Sequence, residues 1–351
     1  MKVIRTVNGD LPLDSMGITL SHEHVLVDGS QWMVDPITEN EHQLSSKSPA
    51  MEDMWWLRQW PNTSRTNYLL DDFDLAVQEL GFFAELGGST VIDMTCSSTM
   101  GREIVKLKRI SETTRINIVA GCGYYVEGSH SPQVAVSDAN ELADVLINEI
   151  HIGVDGTEIR AGVIGEIGVS HPITANETKC LHAAAIAQKE TGASITVHTA
   201  CDALGARSAT DAAQCLHEFG ADLSRVVMGH LDTFAHDIDY LLSIMEMGCS
   251  IAFDLFGNET FHSEYGFAIP GDSEKIRGVA ALCDRGFAER IFLGHDTAMK
   301  IQLRKYGGYG YGHIIRNIVP RLRLSGLHEE QINQMLIENP KRMFSVDAIA
   351  T

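Results

Sequence analysis

Eight short runs of β-branched and apolar residues recur between Ile18 and Asp296, and longer segments with apolar residues at helical spacing separate them. The runs are ITLSHEHV, STVIDMT, NIVAGCGYY, AGVIGEIGVS, SITVHT, RVVMGH, CSIAFDLFG and RIFLGHD. Repeated βα units build a parallel sheet, and eight of them close it, so the pattern predicts an α/β fold, a (β/α)8 TIM barrel. Segments such as DDFDLAVQELGFFAELG, ETKCLHAAAIAQKETG and SEKIRGVAALCDRG supply the helices, each ending on the Gly that stops a helix. Asn8-Gly9, set between two β-like stretches, predicts an N-terminal β-hairpin at the barrel bottom. From Pro36 to Leu70 the pattern fails, and a long aromatic insertion after strand 1 is expected at the C-terminal mouth, where barrels keep their chemistry. No linker divides the chain, and residues 1–351 are read as a single domain.

The runs end on residues that a buried strand gains nothing from unless a site uses them. Strand one carries His22 and His24; a strand alternates faces, so both imidazoles point into the barrel while Glu23 points the other way. Strand four offers Glu166, strand five His198, strand six His230 and strand eight Asp296. A single catalytic zinc takes three protein ligands and keeps one position open. Six candidates therefore imply two divalent metal ions with a shared ligand, and Glu166, central in the order, is the natural bridge. His22, His24 and Asp296 would complete one metal and His198 with His230 the other, a hydroxide forming the second bridge. Mixed imidazole and carboxylate sites accept Zn2+, Mn2+, Co2+ or Fe2+; zinc is the default expectation. His151, His182, His217 and His328 fall in or beside helical patterns and are read as non-ligands.

Composition narrows the function classes. With 27 Lys and Arg against 47 Asp and Glu, the formal charge is −20, and no dense basic run appears. Nucleic acid and anionic membrane surfaces are therefore not expected partners. No stretch reaches the length of an uncharged membrane span. The opening MKVIRTVNGDLPLD lacks a signal-peptide core, and seven scattered cysteines form no CxxC pair. Both features are read as a reduced, cytoplasmic setting.

The segments LSHEHV, VIGEIGVS, ITVH, VVMGHLD and FLGHD resemble the phosphotriesterase-like branch of the amidohydrolase superfamily from Val3 to about Phe344. Within it, GCGYYVEGSHS, FDLFGNE and KYGGYGYGHIIRNIVPRLR look most like the phosphotriesterase-related proteins. Many members bridge their metals with a carboxylated lysine; Glu166 stands at the matching place and offers the same oxygens without modification, so metal binding here should not depend on bicarbonate. The resemblance implies a metal-dependent hydrolase in which Asp296 is both ligand and proton acceptor.

The first expectation for the substrate is a lactone or other carboxylic ester, with phosphotriester cleavage as a side reaction. The alternative is amide hydrolysis of small anionic N-acyl amino acids or N-acyltaurine-type compounds. A non-catalytic binding protein is disfavoured, because six intact ligands without metal would be a costly buried polar cluster. Tyr124 and Tyr125 end strand three, and alternation predicts that one faces the substrate while the other packs. Lys300 and Arg304 are candidates to receive an anionic substrate group, and Glu259 an amine or hydroxyl. Asp232 is a candidate to hold His230, or else a helix-start carboxylate. Trp55, Trp56 and Trp60 are read as pocket wall and subunit interface, the resemblance implying a homodimer through this side.

Overall fold

The structure is a computed structural model and describes residues 1–200, 207–263 and 266–348. All eight apolar runs form strands: β1 (Ile18–Glu23), β2 (Gly88–Asp93), β3 (Asn117–Cys122), β4 (Val163–Gly168), β5 (Ile195–His198), β6 (Val226–Met228), β7 (Ser250–Phe253) and β8 (Ile291–Leu293). Each pairs in parallel with the next in the sequence. Between β8 and β1 the Ser21 hydroxyl donates to the Leu293 carbonyl at 2.8 Å, and the Asp296 N–H to the His22 carbonyl at 3.1 Å. The sheet thus curls into the expected (β/α)8 barrel.

Strand alternation divides the apolar residues between two cores. Ile92, Val119, Val163, Val227, Ala252 and Phe292 fill the barrel interior, plugged at its base by Ile4, Met16, Met343 and Phe344. Their neighbours Val91, Ile118, Ile164, Val226, Ile251 and Ile291 face the surrounding helices. Those helices include α1 (Phe73–Glu85), α2 (Ile104–Thr114), α3 (Ala139–His151), α4 (Ala175–Thr191), α5 (Ser208–Glu218), α6 (Ile238–Glu246) and α7 (Asp272–Cys283). Local signals set their ends. Thr174 and Glu177 form a capping box at the start of α4, and Gly192, at φ +68°, stops it.

The predicted hairpin forms from Lys2–Thr6 and Gly9–Leu11, but it has a third strand, Ser345–Asp347, from the far end of the chain. A three-residue strand carries too little periodicity to be read from sequence. The insertion after β1 is pinched at its base where Val27–Asp28 pairs with Leu69–Leu70. It carries its own small core of Met54, Trp56, Leu57 and Tyr68, packed on Met299 and Ile301 of the loop after β8. Among the described residues no helix is long and apolar enough to cross a membrane.

Candidate metal centre

Two bulges aim ligands into the barrel mouth. Between the pairs Leu20–Val91 and Glu23–Asp93, β1 carries one residue more than β2, and β4 gains one on β5 between Ile164–Ile195 and Ile167–Val197. The first irregularity contains His22 and the second Glu166, consistent with the use of bulges to re-aim side chains beside active sites. The second requires Gly165: its φ is +150°, and a β-carbon there would meet the Thr196 carbonyl oxygen at 2.8 Å. His230 and Asp296 follow their strands at φ +60° and +48°, a left-handed conformation uncommon for residues with side chains.

The six predicted residues converge. Oε1 of Glu166 lies 3.0 Å from Nδ1 of His198, 3.2 Å from Nε2 of His230 and 3.4 Å from Nε2 of His22. Nδ1 of His198 and Nε2 of His230 are 2.8 Å apart. On the other side, Nε2 of His24 lies 3.8 Å from Glu166 Oε2 and 3.2 Å from Asp296 Oδ1, which is 3.6 Å from His22 Nε2. Two overlapping sets of donor atoms close enough to share a metal follow, His22–Glu166–His230 and His22–His24–Asp296.

The chemistry of this donor set fits divalent cations. Both ring nitrogens of His22 are buried and neither meets hydrogen-bond geometry among the described residues, an arrangement that is costly unless something else engages Nε2. The partners of the other ring nitrogens prepare these atoms for coordination. Thr95 donates its hydroxyl to the Leu26 carbonyl at 2.9 Å, so the 2.9 Å contact with His24 Nδ1 is donated by the ring, and Nε2 keeps its lone pair. Asp254 holds one oxygen 2.8 Å from His22 Nδ1 and the other 3.0 Å from His230 Nδ1, while also accepting the His230 N–H at 2.9 Å.

Electrostatics agree. Burial pushes the Glu166 carboxyl up, but the imidazoles of His22 and His198 outweigh it and hold the group well below the ordinary range. Burial pushes His22 down, and the carboxylates of Glu166 and Asp254 reverse this, raising it well above the ordinary imidazole value. Asp296 is pushed up by burial and brought below its usual range by His24 and His22. A cluster of carboxylates and imidazoles that trade protons so strongly is poised to exchange those protons for metal.

Asp254, Thr95 and Trp32 were not singled out by the sequence. Asp254 had a signal: it ends run seven where runs four, five, six and eight carry their ligands. Thr95 ends run two, too ordinary a residue to stand out. Trp32 lies between strand one and the irregular stretch, outside any pattern; its indole N–H donates to the Tyr125 hydroxyl at 3.2 Å, and that hydroxyl is 3.2 Å from His198 Nδ1. Tyr125 is thus the tyrosine facing the centre, while Tyr124 donates its hydroxyl to the Leu142 carbonyl on α3 at 3.0 Å.

The remaining candidates are placed elsewhere. Arg304 is exposed, with its guanidinium 3.7 Å from the ring centroid of Phe82 on α1, and its backbone N–H bonds Glu79 of the same helix at 3.2 Å. Lys300 faces a small cleft with Asp71, Asp72, Leu75 and Tyr311. The Arg304 guanidinium thus lies against α1. Glu259 accepts the Asp272 N–H at 3.1 Å and so caps the start of α7. Asp232 is fully buried and accepts the Leu255 N–H at 2.9 Å, bracing the segment after β7; burial pushes its carboxyl up to about 7. Trp56 is buried in the insertion core, Trp60 is half-buried against it, and Trp55 is exposed.

The chain is similar to known proteins. The phosphotriesterase family profile matches residues 2–344. An N-acetyltaurine hydrolase of Mus musculus is 38% identical over 343 residues, covering 97% of each chain. The crystal structure of a resiniferatoxin-binding protein from Rhodobacter sphaeroides superposes with a TM-score of 0.93 at 38% identity, covering 97% of this chain and 94% of that one. A lactonase of Listeria monocytogenes superposes with a TM-score of 0.79 at 25% identity, covering 99% and 100%. With eight parallel strands, a buried cluster of imidazoles and carboxylates at their C-terminal ends and a profile match along nearly its whole length, the chain belongs to the phosphotriesterase family.

Proposed function

We propose that this hydrolase holds two divalent metal ions, zinc by default, bridged by Glu166, and uses them to cleave a lactone or other small carboxylic ester. The observation that carries the reading is the convergence on Glu166. Nδ1 of His198 and Nε2 of His230 and of His22 all approach its Oε1, while Nε2 of His24 faces Oε2 and Oδ1 of Asp296 lies near both His24 and His22, so that His22 stands between the two groups. Bound there, the cations would supply Lewis acidity towards a carbonyl oxygen and lower the pKa of a water towards neutrality. Asp254 and Thr95 keep the imidazoles in the required tautomers. The Asp296 side chain keeps 20% of its surface exposed, against 1% for Glu166, so it is the carboxylate of the cluster that reaches the mouth. It accepts the proton of the attacking water and returns it to the leaving group. Tyr125 and Trp32 form an aromatic wall beside His198.

The ester reading is supported by the placement of Arg304, whose guanidinium packs on Phe82 of α1. The amide reading keeps one specific support. Relatives named N-acetyltaurine hydrolase reach 38% identity, above the 25% of the lactonase. A hydrolysis panel on zinc- and manganese-loaded protein separates the two, with γ- and δ-lactones beside N-acyl amino acids and N-acyltaurines and Asp296→Asn as the control. Lactone turnover that disappears in Asp296→Asn supports the first reading; amine release with slow lactones replaces it with the second.

A further inference from the structure

Glu23 lies between the two histidines of β1, and strand alternation turns it away from them. It does not reach solvent: it is 0% exposed and faces the seam between β1 and β8. There its Oε1 accepts the backbone N–H of His295 at 2.8 Å and the ring Nδ1–H of the same residue at 2.6 Å, while Oε2 accepts the N–H of Thr297 at 3.2 Å. The ring's other nitrogen, Nε2, accepts the Ile314 N–H at 3.2 Å, which fixes the proton on Nδ1.

The two backbone donors flank Asp296. The N–H of Asp296 itself goes to the His22 carbonyl at 3.1 Å, so three consecutive amides of the segment after β8 are pinned to two consecutive residues of β1. Asp296 is held at φ +48°, a conformation that persists in a residue with a side chain only where its surroundings over-determine it. In that conformation Oδ1 sits 3.2 Å from Nε2 of His24.

We propose that Glu23 is a positioning residue: its carboxylate clamps the backbone on both sides of Asp296 and thereby sets where the Asp296 carboxylate meets His22 and His24. This rests on the reading of Asp296 as a metal ligand and proton acceptor. The same segment that supplies two imidazoles thus also fixes the carboxylate that completes their half of the site. A carboxylate is required because both oxygens accept N–H donors; a glutamine amide would turn an NH2 towards one of them.

The test uses the cobalt-loaded protein, whose visible absorption reports ligand geometry independently of turnover. Glu23→Gln is expected to keep the wild-type circular dichroism and to shift the cobalt absorption in the same sense as Asp296→Asn. On the substrate that the panel selects, it should lower kcat about tenfold with KM changed less than about twofold. A purely structural role would lower the folded fraction and leave the spectrum of the folded protein unchanged. If folded Glu23→Gln has the wild-type spectrum and kcat while Asp296→Asn alters both, the clamp is overturned. If Asp296→Asn alters neither, the ligand reading falls and the clamp with it. Should Glu23→Gln not fold, the partner side gives the same answer. His295→Asn retains an N–H near the Nδ1 position and should keep the wild-type spectrum, whereas His295→Leu should show the shifted one; identical spectra for the two overturn the proposal.

Discussion

Nδ1 of His22 lies 2.8 Å from Oδ2 of Asp254, and the second oxygen of that carboxylate lies 3.0 Å from Nδ1 of His230. One buried side chain just after β7 therefore faces the imidazoles of both His22 and His230. It leaves both Nε2 atoms facing Glu166.

Asp254→Asn keeps the shape and removes the charge, and its amide has only one oxygen to serve two ring N–H groups. One imidazole loses its orienting partner. The expected result is metal affinity about 10–100-fold weaker, read by competition with a chromophoric chelator, with the fold intact. Wild-type affinity in this variant would show that the carboxylate does not orient the ligands.

Metal uptake should release protons. Burial lowers the pKa of His22, but Glu166 and Asp254 more than reverse this, so the metal-free protein keeps His22 protonated above the ordinary imidazole range. Coordination needs the neutral ring, and the direction follows: affinity rises with pH through the raised His22 range and falls below it. In the metal-free protein the same shift stabilises the fold, fully below the unfolded imidazole value and progressively less as pH rises through the folded one. Calorimetric zinc titrations at pH 7 in buffers of different ionisation enthalpy should show net proton release. Buffer-independent heats would contradict the assignment.

Arg102 carries a large stability effect outside the site. It is 6% exposed and bonds both oxygens of Glu149 at 2.8 Å, Asp155 at 3.0 and 3.1 Å, and the carbonyls of Cys96 and Gly121. It thus fastens the segments beyond β2 and at the end of β3 to α3 and the loop that follows. Arg102→Met leaves two carboxylates facing each other. Because Asp155 keeps 33% of its side-chain surface in water, the cost is set near the low end of the range for broken buried pairs, about 3 kcal/mol. Urea unfolding measures it, and a change below about 1 kcal/mol would mean that the acidic residues relax into solvent.

The barrel was legible because each strand is buried on both faces and so reads as an apolar run, and the candidate ligands because they interrupt those runs at one end. His22, His24, Glu166, His198, His230 and Asp296 all follow from that rule, and the structure brings them together. Asp254 obeyed the same rule and was passed over, since an aspartate that orients imidazoles looks no different in sequence from one that ends a strand. For Lys300 and Arg304 the sequence offers only residue type. Their loop follows a ligand strand, but residue type says nothing about which way a loop side chain turns, and Phe82 on α1 offers Arg304 a ring to lie against. Tyr124 and Tyr125 do turn opposite ways, one hydroxyl to the Leu142 carbonyl and the other to His198, as the period of a strand requires.

In the proposed site, six side chains hold two metal ions around Glu166. Equilibrium titration of metal-free protein with Zn2+, with bound metal counted by mass spectrometry after gel filtration, tests it most directly. The account predicts two ions per chain in the wild type, without added bicarbonate, and a loss of at least one in both His22→Ala and Glu166→Ala. A wild-type stoichiometry of one or none, or two ions retained in Glu166→Ala, would contradict it.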